Sequence, residues 1–225
     1  MKLSWRTELI QLLLIAAMFV VAAACWPYVP ERIPVHWNLR GEVDGYGGKF
    51  MGLLLPPLIT LGLYVLLLVL PRFDPGKANY PTFAGSYNVI RVSLVVFMAA
   101  LHGVTTLAAL GQPVDVGTFV SLGIGGLFVV LGNVMGKIRP NWFVGVRTPW
   151  TLSSKLSWTK THRAAGWLFI VFGPLLALAG ILRVDWFFFA MLVAGGVGLA
   201  ALVVYSYLIY RSDPDRVTPA GTSPG

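Results

Sequence analysis

The sequence predicts an all-α polytopic membrane protein, a bundle of six transmembrane helices. Three observations carry that prediction. Of 225 residues, 56% are hydrophobic and only 12% charged, with a mean hydropathy of +0.74; a single soluble core of this size would not bury that much apolar surface. Six stretches, 9–26, 51–70, 87–110, 117–136, 164–182 and 187–210, approach or exceed the ~20 mostly apolar residues that cross a bilayer core. The 17 Lys and Arg are also sorted by side. All but Arg32, Arg40, Lys49 and Arg183 fall on the side of the termini, so the positive-inside rule puts both termini in the cytoplasm.

The first span follows Lys2 and Arg6 and ends Ala22-Ala23-Ala24-Cys25, a run that also has the form of a signal peptide with a weak lipobox-like end. Ala22 stands where a lipoprotein would carry a larger aliphatic residue, and an anchor helix is the expected state. Cys25 is the single cysteine, so no internal disulfide or Cys/His zinc cluster is expected.

Between spans one and two lies PYVPERIPVHWNLRGEVDGYGGKF, residues 27–50. Pro27, Pro30 and Pro34 disfavour helix, while Asn38, Gly41, Gly45, Gly47 and Gly48 supply turn positions. His36, Glu42 and Asp44 form the only close grouping of His with carboxylates. Their spacing matches no standard metal motif, and a solvated loop on the extracytoplasmic surface is expected, with no metal or cofactor.

In the third span His102 lies deep and Arg91 near a helix end; His102 is expected to be a hydrogen-bonded packing residue. The fourth and fifth spans are marked by small residues. Gly166, Gly173 and Gly180 recur every seven positions, and Gly117, Ser121, Gly125, Gly132 and Gly136 line a matching face. Packing of these two helices on each other is expected over a dimer contact.

Residues 137–163 join those spans and carry Lys137, Arg139, Arg147, Lys155, Lys160 and Arg163, with no Asp or Glu. The carboxylate-free run extends from Val116 to Val184, which leaves His162 without a partner for acid/base or nucleophilic catalysis. The chain is therefore not read as an enzyme. Trp142, Trp150 and Trp158 are expected at the headgroup level and the cations against anionic phospholipid, not nucleic acid. Pro140 and Pro149 punctuate the segment, and Thr151 or Ser153 would cap a short helix through Leu156 and Trp158. An ordered hairpin on the inner leaflet is the expected result.

The chain thus divides into an N-terminal three-span half, 1–110, with the extracytoplasmic loop 27–50; a C-terminal three-span half, 111–210, with the cytoplasmic segment 137–163; and a disordered Pro/Gly/Ser/Thr-rich tail, 211–225. The two long loops occupy corresponding positions on opposite faces, which raises the hypothesis of a 3+3 inverted repeat.

The core GNVMGKIRPNWFVGVRTPWTLSSKLSWTKTHRAAGW, Gly132 to Trp167, resembles the signature of the SdpI family of bacterial membrane immunity proteins. Asn133, Lys137, Arg139, Pro140, Asn141, Arg147, Thr148, Pro149, Trp150, Trp158, His162 and Arg163 fall at its motif positions. The stretch Ile33 to Lys49 is similar to the domain of unknown function that accompanies that family. The resemblance implies protection against a secreted, membrane-active peptide toxin and, beyond it, a signalling role in which a transcriptional repressor is held at the membrane. It implies no catalytic residues. Such a toxin would first meet Pro34, His36, Trp37, Asn38, Gly41, Glu42 and Asp44. A small transporter or lipid-handling protein is the alternative, suggested by the hypothetical inverted halves and the cationic segment.

Overall fold

Within hydrocarbon a backbone must satisfy its hydrogen bonds inside its own segment, so each long apolar run is helical. The computed structural model describes residues 5–216. In chain order it contains α1 (Trp5–Cys25), strands β1 (Arg32–Trp37) and β2 (Val43–Gly48), and α2 (Leu55–Phe73), which a π-helical turn over Phe50–Leu54 introduces. There follow a 3-10 turn (Lys77–Phe83), α3 (Ala84–Ala109), α4 (Val116–Met135), the short α5 (Pro149–Leu152), α6 (Lys155–Leu182) and α7 (Asp185–Ser212). Six helices among the described residues are long and apolar enough to cross a membrane. The β-hairpin lies at one end of the bundle, here the hairpin face, and residues 136–154 at the other, the basic face.

The fifth span starts earlier than its hydropathy suggests. α6 has 28 residues and so runs about 42 Å at 1.5 Å per residue, against a hydrocarbon core of about 30 Å. Its first turns must pass through the headgroup layer.

α4 and α6 run antiparallel along the small-residue faces. A Cβ on Gly125 would stand 2.5 Å from the carbonyl oxygen of Gly173, and one on Gly132 2.7 Å from that of Gly166. The backbones touch, as small residues permit where lipid offers no hydrophobic drive. The glycines therefore serve packing within the chain.

In the N-terminal half α1 packs chiefly on α3. Arg91, fully buried, donates from both terminal nitrogens to the two carboxylate oxygens of Glu8 at 2.8 Å each. The Tyr64 hydroxyl donates to the same carboxylate at 2.8 Å, and the guanidinium lies 5.6 Å from the Tyr64 ring centre. One node thus joins α1, α2 and α3. The two long loops differ in structure, one a β-hairpin and the other a turn leading into capped helices, and α4 pairs with its neighbour α6 where α1 pairs with α3.

The start of the expected disordered tail is ordered. Arg211 and Ser212 close α7, and Asp213 is buried because the Ser154 hydroxyl donates to its carboxylate. Residues 217–225 lie outside the described residues.

Candidate functional site

On the hairpin face β1 and β2 pair antiparallel, Arg32 with Gly48 and Trp37 with Val43, with bulges around His36. Two short strands are marginal alone, and docking holds these. Ile33 is fully buried in the notch left by Gly52, where a Cβ would stand 2.4 Å from its Cδ1. At the tip Asn38 Oδ1 accepts the N–H groups of Arg40 and Glu42, and Gly41, at φ 78°, rests on Gly117 at the start of α4. The loop expected to fold on the surface takes the form of a β-hairpin, stabilised by contacts distant in sequence.

Beneath the hairpin lies a mostly apolar groove of about 500 Å³. Val35, Trp37 and Leu39 form one wall, Leu55 and Ile59 of α2 with Met98 and Leu101 of α3 another, and Val120 and Phe188 the third. His102 forms part of the lining. Its Nε2 donates to the Leu53 carbonyl at 3.0 Å, a carbonyl to which Pro57, four residues on, has no N–H to offer. His102 is a hydrogen-bonded packing residue. A more polar cavity of about 760 Å³ adjoins the groove and shares Leu39, Gly117, Ser121 and Phe188. Two ion pairs cross it, Arg40 with Asp185 at 2.9 Å and Arg183 with Asp115.

Of the loop residues singled out in the sequence, Pro34, His36, Trp37 and Asn38 line the groove and Gly41 the polar cavity. Glu42 and Asp44 staple the hairpin instead: Asn38 donates to Glu42 at 2.9 Å, and His36 Nδ1 meets Asp44 at 2.5 Å. Apolar walls at the outer ends of the spans are expected from the sequence, but it singles out no residue of the α2, α3 and α7 walls. Their residues sit in uniformly apolar spans, where no local signal separates a groove wall from a lipid-facing side chain.

The basic face is built around buried polar residues. After α4 the chain folds back along α6: Gly136 lies against Arg163, and the Trp158 indole donates to the Ile138 carbonyl at 2.9 Å. Asn141 makes the turn, its Oδ1 accepting from the N–H groups of Phe143 and Val144, its Nδ2 donating to the carbonyls of Arg139 and Val144. Gly145, at φ 111°, crosses directly over His162. His162 Nε2 accepts the Val146 N–H at 3.0 Å, which fixes the proton on Nδ1, and Nδ1 donates to the Trp158 carbonyl at 2.8 Å. This histidine is committed at both nitrogens and shapes the turn.

Helix capping differs from the sequence expectation. Thr148 forms a reciprocal capping box with Thr151 at the start of α5, and Ser154 accepts the Ser157 N–H to cap α6. Both caps reach α7: the Thr148 and Ser206 hydroxyls are 3.2 Å apart, and Ser157 donates to the Ser206 carbonyl at 2.7 Å. Trp158 is not a headgroup anchor. It is buried and stacks on His162 with ring centres 4.0 Å apart, because it shares the inward α6 face with Ser154, Ser157, Thr161 and Ala165. Trp150 is half-buried against Tyr207, and only Trp142 of the three is exposed.

Carboxylates absent from 116–184 arrive from elsewhere. Asp74, buried in the α2–α3 connection, accepts the Trp142 N–H at 3.1 Å, the Tyr80 hydroxyl at 2.8 Å and the Gly76 N–H at 2.6 Å. Asn79 adds a 2.7 Å bond to the Pro140 carbonyl. The turn-forming DPG at 74–76 signals the connection, but nothing in the sequence names its partner. The motif residues therefore separate into two sets. Asn141, Thr148, Trp158 and His162 are buried and fold the segment, whereas Asn133, Lys137, Arg139, Arg147, Pro149 and Arg163 are exposed, Pro140 is half-buried, and Trp150 packs on α7.

Residues 137–206 match the model of the SdpI/YfhL protein family. The match begins at the basic turn and ends at Ser206, the residue that ties α7 to Thr148 and Ser157. Over that segment the chain resembles the SdpI family. Residues 13–61 match a domain of unknown function, DUF1648, which here comprises most of α1, the hairpin and the first turns of α2. The family domain thus builds the basic face and its partner domain much of the groove. The chain is also 24% identical over 206 residues to the immunity protein SdpI of Bacillus subtilis (strain 168), covering 92% of this chain and 97% of that protein. No solved structure matches. With six helices long and apolar enough to cross a membrane and this likeness to SdpI, the chain is a multi-pass bacterial membrane protein.

Proposed function

We propose that this chain is an immunity protein of the bacterial cytoplasmic membrane that binds a secreted, membrane-active peptide toxin in the groove beneath the β-hairpin. The groove carries the reading: about 500 Å³, mostly apolar walls and a few polar groups, a form that suits the apolar face of an amphipathic helix. The excess of Lys and Arg on the other face orients the hairpin outward, where such a toxin arrives. The likeness to the SdpI immunity protein along nearly the whole chain supports the same reading. Binding need only withdraw the peptide from the lipid.

A regulatory extension, in which the toxin-bound protein holds a transcriptional repressor at the membrane, has one supporting observation. α7 touches both sites, through Phe188 and the Arg40–Asp185 pair at its outer end and through Ser206 and Asp213 at its inner end. The transporter or lipid-handling alternative lacks such support, since Arg91 and His102 are both fixed in hydrogen bonds.

Groove filling tests the proposal. Ile59→Trp and Trp37→Ala, checked for unchanged membrane levels, should each resensitise cells to a panel of secreted amphipathic peptides against which the unaltered chain protects. Full protection by both variants would overturn the groove as the binding site.

A further inference from the structure

The two faces treat their cations differently. On the hairpin face three of four are paired, Lys49 with Glu31, Arg40 with Asp185 and Arg183 with Asp115. On the basic face Lys137, Arg139, Arg147, Lys155, Lys160 and Arg163 are all exposed, and among the described residues none makes an ion pair. Of the carboxylates on this side, Asp74 and Asp213 are buried in hydrogen bonds and Glu8 is paired with Arg91, which leaves Asp215, beyond the end of α7, as the exposed one among the described residues. Between these cations three aromatic side chains stand out, Phe73 at 76%, Trp142 at 52% and Phe143 at 41% exposure. Asp74 holds the Phe73 and Trp142 segments together by accepting the Trp142 N–H.

This surface does not project from the bundle. Gly136, Ile138 and Gly145 lie against Arg163, Trp158 and His162, so the turn runs alongside the first turns of α6. Those are the turns by which α6 exceeds the hydrocarbon thickness. A flush, rigid rim of unpaired cations and exposed rings at headgroup depth has the chemistry of a membrane-facing surface, with the rings among the headgroups and guanidinium groups on phosphate.

We propose that this rim, centred on Arg139, Trp142, Phe143 and Arg147, is a docking surface for the headgroups of anionic phospholipid in the inner leaflet. It orders phosphatidylglycerol-type lipid along the rim beside α6 independently of whether a toxin occupies the groove. The assignment does not rest on the immunity reading, and its test does not use a toxin.

Vesicles of phosphatidylcholine holding the full chain would be doped with spin-labelled phosphatidylglycerol or spin-labelled phosphatidylcholine, and the motionally restricted fraction of each compared. The anionic probe should be preferred. Arg139→Gln with Arg147→Gln should weaken its association on the order of twentyfold, at about fivefold per cation. Arg139→Lys with Arg147→Lys should keep most of the preference, as should Arg32→Gln on the other face, and high salt should erode it. Equal restriction of the two probes, or an undiminished preference in the double Gln variant, would overturn the proposal and leave the surface to a soluble acidic protein. Unchanged thermal stability of the double Gln variant in detergent separates lost docking from misfolding.

Discussion

Gly145 crosses the imidazole of His162 so closely that a Cβ at this position would stand 2.1 Å from Nε2. The same nitrogen accepts the N–H of Val146, so crossing and hydrogen bond form one device. At φ 111° the backbone is also in a region that L side chains rarely adopt. Gly145→Ala should destabilise the folded protein by ~2 kcal/mol or more, through strain and the displaced histidine together. Gly103→Ala, where a Cβ meets nothing within 4 Å, is the control. Thermal unfolding in detergent compares the two, and equal midpoints would show that the turn does not depend on the crossing.

Asp74 makes a second prediction, because it gathers donors that have no other acceptor. Asp74→Ala leaves the Trp142 and Gly76 N–H groups and the Tyr80 hydroxyl without it. Unsatisfied buried donors cost about 1–3 kcal/mol each, and the turn should loosen from the α2–α3 connection. Trypsin should then cut after the exposed Lys137 and Arg147 markedly faster than in the unaltered protein. Asp74→Asn, which keeps one accepting oxygen, should fall between the two.

Much of this was legible in the sequence, and the exceptions share a cause. Spans, long loops and the glycine faces are local patterns, set by composition and helical period. The strands were missed because VDGYGG has no apolar alternation; the hairpin exists through Ile33 against Gly52 and Gly41 against Gly117, contacts that local periodicity cannot show. Trp158 was misplaced because its buried α6 face is made of Ser154, Ser157, Thr161 and His162, polar residues that hydropathy reads as exposed. Asp74 is 68 positions from Trp142. Segment 137–163 therefore looked free of carboxylates when its fold depends on two.

The second of those carboxylates predicts a pH response. The hydrogen bond from the Ser154 hydroxyl holds the Asp213 carboxyl below its ordinary value of 3.8. A depressed folded-state value means that the ionised form favours folding. Its contribution is complete above the unfolded value and disappears as pH falls through the folded one. Unfolding midpoints measured from about pH 6 down to about pH 3 should fall more steeply for the unaltered chain than for Asp213→Asn at the acid end. Parallel curves would show that the contact between the end of α7 and the α6 cap adds no pH-dependent stability.

The node of Glu8 and Arg91 was not recognised in the sequence, where the two stand 83 positions apart. Arg91 is fully buried and Glu8 partly so, with side-chain exposures of 1% and 15%. Removing either partner strands a charge in a low-dielectric interior, at about 3–5 kcal/mol. Removing both is different in kind, since each ion also gave up its hydration on folding and an apolar pair of similar volume recovers that cost. Glu8→Leu and Arg91→Met should each lower the unfolding midpoint sharply, and Glu8→Leu combined with Arg91→Met should restore most of the loss. The Arg91 Nε, which has no hydrogen-bond partner among the described residues, favours that outcome, because the ion pair already carries an uncompensated polar atom. If the double variant were as unstable as the sum of the two single ones, the pair would not act as a unit, and Arg91 would owe its stability to Asn88 and the Tyr64 ring instead.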